Sequence, residues 1–322
     1  MTIELLIAEK RTGKIWDVAK STKEITLTTT RTGSPGVLKF SVQKAGDLSF
    51  VEGDVVRFSE DGELLFYGWV FTKVKDRWDN IEVTCYDRLR YLKANASYAF
   101  YAQSAADIIK QIGEDLQIEV DRLSNPGFLI PSMIEENQSC LDIIGKAVQQ
   151  TLLNTGRLYI FYDSGTGLCL TPADEMKTTI MIGDRSYLGE YTYKTDIDGE
   201  TYNSIKLARP NEETGRADVF LVQDTDTIRR WGLLQLYQTV DNDMNDAQIM
   251  AQAQVTLQYY NRRMRTLSCS SLGVRGLRAG QMIAMKIDGL GDIDLDQYML
   301  IEKVSHKYQN DYHTMDFDLK AI

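Results

Sequence analysis

The stretch Val51-Glu52-Gly53-Asp54-Val55-Val56-Arg57-Phe58 decides the fold, together with the two runs that follow it. These are Leu65-Phe66-Tyr67-Gly68-Trp69-Val70-Phe71-Thr72-Lys73-Val74 and Ile81-Glu82-Val83-Thr84-Cys85. The chain writes this order twice. Near the C-terminus it returns as Arg278-Ala279-Gly280-Gln281-Met282-Ile283-Ala284-Met285, then Gln297-Tyr298-Met299-Leu300-Ile301-Glu302-Lys303-Val304, then Thr314-Met315-Asp316-Phe317-Asp318-Leu319. The copies lie 227 residues apart at Gly53 and Gly280, 230 at Lys73 and Lys303, and 232 at Val83 and Met315. The drift falls in turns, where insertions are tolerated. Two diverged copies of one β-module are expected.

Each copy reads as strands: four to ten residues rich in Val, Ile, Tyr, Phe and Trp, bounded by Gly, Asp and Asn. The leading glycine sits where a loop becomes a strand, a place that often demands positive φ. The middle strand is apolar on both faces, with Leu64, Phe66, Val70 and Val74 opposing Leu65, Tyr67, Trp69 and Phe71. A half-buried antiparallel strand alternates apolar with polar. Either another layer of the same chain or another subunit therefore covers the outer face.

Composition sets the bounds. A chain of 322 residues has room for two or three domains. Charged residues at 25% and hydrophobic ones at 43% are ordinary for a water-soluble protein. No run approaches ~18 consecutive apolar residues, and Met1-Thr2-Ile3-Glu4-Leu5 lacks the character of a secretory signal. Membrane insertion is not expected. Cys85, Cys140, Cys169 and Cys269 are scattered, which fits reduced thiols made in a cytoplasm and neither a disulfide framework nor a zinc site. The net charge of −10 argues against stable nucleic-acid binding, which needs clustered Lys and Arg. The one compact basic run, Arg262-Arg263-Met264-Arg265, reads as the C-terminus of a helix, where positive charge suits the dipole.

Along the chain, residues 1 to 95 read as all-β, five or six short strands suggesting a small barrel or sandwich. Helical patterns follow. Ser104-Ala105-Ala106-Asp107 and Ser139-Cys140-Leu141-Asp142 each open an apolar run with the spacing of a capping box. Strands near 157–162 and 168–171 complete a small α/β unit ending near 190. Strands return at 190–193, 202–208 and 219–222. A long helix, 247–263, is expected with Asp246 as its cap and Ile249, Ala253, Leu257, Tyr260 and Met264 as its apolar stripe.

A search for chemistry finds little. His306 and His313 have no Cys or Glu-x-x-His companion, so surface or interface histidines are expected there. Asp288, Asp292, Asp294 and Asp296 crowd one loop. Leu295 and Lys303, however, occupy positions where a calcium loop starting at Asp292 needs an oxygen donor and a closing glutamate. A solvated hairpin is the plainer reading. No nucleophile elbow, Walker loop or dinucleotide fingerprint is present. Neither catalytic, metal nor cofactor residues are expected.

Asn203-Ser204-Ile205-Lys206-Leu207, Asp226-Thr227-Ile228-Arg229-Arg230-Trp231-Gly232, Leu277-Arg278-Ala279-Gly280-Gln281 and the closing strands from Tyr298 to Leu319 carry a resemblance over nearly the whole chain. The sequence resembles the XkdQ-like and late-control-D-like hub proteins of contractile phage tails. The resemblance implies a mainly β, α+β chain with two similar small tube-type β-barrel domains, 1–95 and 191–322. Between them would lie a helical α/β insert domain, 96–190, and the second barrel would carry a helical insertion at about 224–264. It implies a homotrimer whose six barrels form a ring between a six-fold tail tube and a three-fold spike. The partners would be the tail tube protein, a separate spike protein and baseplate wedge proteins. The place would be the baseplate of a virion or phage-tail-like particle, with synthesis in a bacterial cytoplasm. On that reading Tyr67, Trp69, Phe71, Tyr298, Leu300 and Ile301 are candidates for subunit-interface strands. Glu82, Asp316 and Asp318 are candidates for an acidic lumen that repels passing cargo. The competing readings are a tail-associated cell-wall hydrolase, with carboxylates in the α/β insert, and a glycan- or receptor-binding module.

Overall fold

A computed structural model describes residues 1–184, 186–211, 215–290, 293–310 and 312–322. The N-terminal part folds into β1 (Ile3–Ala8), β2 (Ile15–Asp17), β3 (Thr22–Thr30), β4 (Val37–Gln43), β5 (Val55–Glu60), β6 (Glu63–Lys75) and β7 (Asn80–Tyr86). The middle supplies β8 (Asn95–Gln103), α1 (Ala105–Asp115), β9 (Val120–Leu123), β10 (Ile130–Ser139), α2 (Cys140–Thr155), β11 (Tyr159–Asp163), β12 (Leu168–Pro172) and β13 (Lys177–Gly183). The rest gives β14 (Leu188–Asp196), β15 (Ser204–Asn211), β16 (Arg216–Gln223), α3 (Thr225–Trp231), β17 (Gln235–Thr239) and α4 (Asp246–Tyr260). The chain closes with β18 (Met264–Leu272), β19 (Met282–Leu290), β20 (Ile293–Gln309) and β21 (Tyr312–Lys320). The fold is mainly β.

The duplication is visible in strand pairing. In the N-terminal half β5-β6-β7-β4-β3 lie side by side, and in the C-terminal half β19-β20-β21-β18-β14 do, every neighbour antiparallel. Irregularities repeat as well. The β6–β7 register slips between Val70 and Thr72, and the β20–β21 register slips between Ile301 and Lys303. The β3–β4 register slips between Thr22 and Ile25, and the β14–β18 register between Leu188 and Tyr191. A β-bulge re-aims a strand, so shared bulges are shared geometry. The backbone clamp before each bulge also recurs. Gly53 N donates to Val70 O (2.8 Å) and Val70 N to Asp54 O (2.9 Å); Gly280 N donates to Ile301 O (2.8 Å) and Ile301 N to Gln281 O (2.9 Å). Both glycines have positive φ, 88° and 91°. The bulges align the copies at Thr72 with Lys303 and Val83 with Phe317, one and two residues away from the sequence alignment.

Neither half closes into a barrel by strand pairing among the described residues. Both belong to one 13-stranded sheet. Each half nonetheless encloses one core. Leu5, Ile7, Leu27, Leu38, Phe40, Val56, Phe58, Val70, Val83 and Cys85 converge in the first, and Leu267, Ile283, Met285, Ile301, Val304, Phe317 and Leu319 in the second. A sheet whose inner faces meet this way is folded over on itself. The join is β20. Its first half pairs with β19, and its second half pairs with β3 from Lys303↔Thr30 to Gln309↔Glu24, while β21 runs along its other edge.

Side chains reinforce this seam. Thr28 and Ser305 hydroxyls meet at 2.5 Å, Arg31 Nε donates to Glu302 (2.9 Å), and Ala279 N donates to Thr29 Oγ1 (2.9 Å). Tyr308, a β20 residue, is buried in the core of the N-terminal half, edge-on to Phe58, with its hydroxyl donating to Glu60 (3.1 Å). The two histidines are not surface residues. His306 is buried, its Nε2 bonded to Leu277 O (2.7 Å) and its Nδ1 to His313 Nε2 (2.9 Å), while His313 stacks on Tyr308 at 4.1 Å. Alternation puts His306 and Tyr308 on the inward face of β20, and the pairing of β20 with β21 sets His313 opposite Tyr308.

The inserted elements make three smaller sheets. β8 and β10 pack with α1, α2 and the β11–β12–β9 sheet around Phe100, Ile108, Ile109, Ile112, Ile143 and Ile144. The capping box at Ser104 is present, and Ser139 caps α2. β13 leaves this unit to pair with β19 in the large sheet. β15 and β16, read from sequence as part of the second β-domain, pair instead in β16-β15-β17, against α4. The chain from 197 to 263 thus departs from the large sheet, more than the 224–264 helical insertion expected. The cap of α4 is Asn245, in a capping box with Gln248, and the helix ends at Tyr260 before the basic run.

Two predictions follow from the seam. Tyr308→Ala should cost about 3–5 kcal/mol in urea unfolding, as expected for deleting a buried ring, whereas Tyr308→Phe should cost about 1 kcal/mol. Equal, negligible effects would show that β20 does not bind the halves together. Burial, joined for His313 by its neighbour His306, pushes both imidazoles down to about 4, so they are neutral in the folded chain. Their unfolded value is near 6.5. Below that value the unfolded chain takes up protons that the folded chain refuses, so stability is lost as pH falls from about 6.5 towards 4. The melting temperature of a His306→Gln/His313→Gln variant should fall less across that window than the parent's. Parallel curves would refute the assignment.

Candidate functional site

The sheet has an outer face that runs unbroken across the seam. Asp316 lies opposite Ser270 on one side and Ser305 on the other, and Ser305 lies opposite Thr28. Thr26 lies opposite Lys39, Lys39 opposite Thr84, and Ser41 opposite Glu82. Because side chains alternate, these residues share the face opposite the two cores. Glu82, Asp316 and Asp318 are all exposed on it, so residues from both halves that the sequence reading set apart share one surface.

That surface is not acidic. Lys303 lies opposite Asp318, Ser268 Oγ donates to Asp318 (2.8 Å), and Lys307 pairs with Glu24 (3.1 Å). The carboxylates Glu24, Glu82, Asp316 and Asp318 are interleaved with Lys39, Lys303 and Lys307, the remaining positions being mostly Ser and Thr. Opposite charges directly across a ladder attract, which is why the face mixes signs. The acidic surface expected of Glu82, Asp316 and Asp318 is instead a near-neutral, hydroxyl-rich face.

The candidate interface strands divide. Tyr67, Trp69 and Phe71 form an edge-to-face run continued by Tyr91 and Tyr86. Arg88 lies over Tyr67 (4.8 Å) and Trp69 (5.8 Å), and Arg90 over Phe71 (5.4 Å). Residues 88–93, a short 3-10 helix, thus cover much of this face from within the chain. Leu300 and Ile301 are buried, Leu300 against Ile160, Ala173 and Met282, and Ile301 in the second core. Both therefore leave the interface set: the α/β insert covers Leu300, and Ile301 points into the core of its own half. Tyr298 remains 41% exposed, with Lys177 over its ring (5.3 Å).

A cavity of about 420 Å³ lies where both halves meet the insert. Its wall holds the carboxyl groups of Asp87 and Asp163, with Glu63 and Glu175 also lining it. Asp87 accepts Gly36 N (2.8 Å) and Leu89 N (3.0 Å). Burial, then the nearby Asp163, pushes its carboxyl up to about 8. Asp163 accepts Arg88 N (3.0 Å) and Gly165 N (2.8 Å) and pairs with the Arg88 guanidinium (3.3 Å). Arg278 donates to Asp163 O (2.9 Å) and lies over Tyr162 (4.0 Å). The carboxylate oxygens are taken by backbone amides and a guanidinium, so the pair locks three units together. Sequence reasoning missed this cluster because its members come from three distant segments; Arg278 beside the repeated Gly280 was the visible trace.

No group of three or more His, Cys, Asp or Glu side chains is placed to hold a metal ion among the described residues. Part of the aspartate loop, Gly291 and Asp292, lies outside those residues. All four cysteines are free and buried. No described helix is long and apolar enough to cross a membrane.

Comparison with known proteins follows the same lines. The chain is 30% identical to the YqbQ protein of Bacillus subtilis (strain 168) over 275 residues, 84% of this chain and 82% of that one. It is 28% identical to the phage-like element PBSX protein XkdQ of the same organism over 284 residues, 86% of this chain and 85% of the other. Its fold is similar to that of the 43 kDa tail protein of prophage MuSo2 from Shewanella oneidensis, with a TM-score of 0.72 at 13% identity, covering 98% of each chain. Residues 25–320 match the YQBQ-like family model, and the chain belongs to that family.

Proposed function

We propose that this chain is a structural hub of a contractile-tail baseplate. Three copies close a ring in which six half-chains present a common inner face, matching a six-fold tube on one rim and a separate three-fold spike on the other. One observation carries this reading: two half-sheets of the same strand order and bulges, joined so that a single polar face continues from one to the other. A relative named for a phage-like element and a fold shared with a prophage tail protein support it. In the ring that face lines the channel, with Glu82, Asp316 and Asp318 among its residues. Short hydroxyls and paired charges offer cargo many weak contacts and no strong one, which suits passage without sticking. Tail tube, spike and wedge proteins are its partners, and its work is mechanical, not enzymatic.

Light scattering of the purified chain, with negative-stain class averages, tests this. A species of three times the chain mass with six inner lobes is expected; a monomer at tens of micromolar would overturn the reading. In particles assembled with Asp316→Lys/Asp318→Lys, the ring should persist while ejection falls. Unaltered ejection would remove those residues from the channel wall.

A further inference from the structure

The internal seam joins β20 to β3. By strand order, β6 is the copy of β20 and β14 is the copy of β3. The shared bulges fix the correspondence residue by residue: Lys303, Val304, Ser305 and His306 match Thr72, Lys73, Val74 and Lys75, while Thr30, Thr29, Thr28 and Leu27 match Asp196, Thr195, Lys194 and Tyr193. Yet β6 and β14 do not meet within the chain. Among the described residues β5 accompanies β6 only as far as Trp69, leaving one edge of Thr72–Lys75 without a strand, and β14 pairs on one edge only, with β18. Val74 is 56% exposed and Tyr191 40% exposed. Bare edges of this kind are templates for another strand.

We propose that β6 of one copy pairs antiparallel with β14 of the next, in the register of the internal seam. Thr72 then lies opposite Asp196, Lys73 opposite Thr195, Val74 opposite Lys194 and Lys75 opposite Tyr193. This rests on the hub reading and names its subunit contact.

The side chains agree with it independently. The internal seam carries the ion pair Arg31–Glu302. The matching positions are Ile197 and Phe71, so a charged pair at one seam is replaced by an apolar pair at the other, and neither half is left unmatched. The internal seam also has Thr29 accepting from Ala279 N; the matching residues are Thr195 and Glu52, with a threonine kept in place. The pairing stops at Lys75, where β6 itself ends. One edge that gives and a different edge that receives make a head-to-tail contact, which closes into a ring when the rotation per step allows.

The test uses disulfides in the full chain. The Thr28–Ser305 pair brings two side-chain oxygens to 2.5 Å, so its counterparts, Val74 and Lys194 of neighbouring copies, should come within disulfide reach. Val74→Cys/Lys194→Cys is expected to give covalent dimers and a closed covalent trimer on non-reducing gels. Val74→Cys/Asp196→Cys, out of register, should give at least tenfold less. Thr28→Cys/Ser305→Cys, the internal control, should link without a gain in mass. The four native thiols are buried, which keeps them from reacting. A trimer by light scattering whose in-register pair fails to cross-link while the internal control succeeds would overturn the seam and leave the hub reading standing. A chain that stays monomeric would overturn the hub reading, and the seam with it.

Discussion

A β-strand has two edges, and every buried amide and carbonyl on them needs a partner. β20 meets this demand in three directions. Seventeen residues long, it pairs with β21 along one edge and changes partner on the other, from β19 to β3, at the bulge near Glu302. The bulge turns the strand, so its first half belongs to the curl of the C-terminal half and its second half to the junction. Tyr308 then enters the core of the other half, and His306 anchors Leu277 beside it. Remove that one strand and the halves have no common sheet. The repeated clamp at Gly53 and Gly280 exists to bring a strand to such a bulge, and positive φ at both explains why glycine stands there.

How far this was legible in the sequence depended on spacing. The β5-β6-β7 copy could be read because it is contiguous and its counterpart is contiguous too. The equivalence of β3 with β14 could not. In the N-terminal half residues 31–36 join that strand to its neighbour, and in the C-terminal half residues 197–263 do, so the offset jumps from 229 for β4 and β18 to 166 for β3 and β14. Bulges were invisible, because an extra residue in a strand leaves no mark on composition. That is why Lys73 was matched to Lys303 where Thr72 belongs.

The same limit explains the site residues. Alternation placed Glu82, Asp316 and Asp318 on an outward face correctly, since each lies in a regular strand. It said nothing about which strands adjoin, so Lys303 opposite Asp318 and Lys307 against Glu24 were missed, and the face was read as acidic. Two-sided apolar strands signalled a covering layer. They did not say whose. At Tyr67 and Trp69 it is residues 88–93 of the same chain, and at Leu300 it is the insert. The cluster of Asp87, Arg88, Asp163 and Arg278 lay beyond any local pattern, because only the packing of three units brings it together.

The inserted segment also bears on the symmetry of the proposed ring. Lengthening a connection costs little, growing only with the logarithm of its length, so a six-residue turn in one half can become an α/β unit in the other without harming the sheet. The strands that face inward in the proposed ring keep the same order, bulges and clamps in both halves, because both must satisfy the same backbone pairing. The connections carry no such constraint and have diverged. A ring of such chains is therefore nearly six-fold where strands dictate it and three-fold where connections do. In the proposed hub, matching a six-fold tube to a three-fold spike would need no separate adaptor element: it would follow from which parts of a duplicated sheet can change and which cannot.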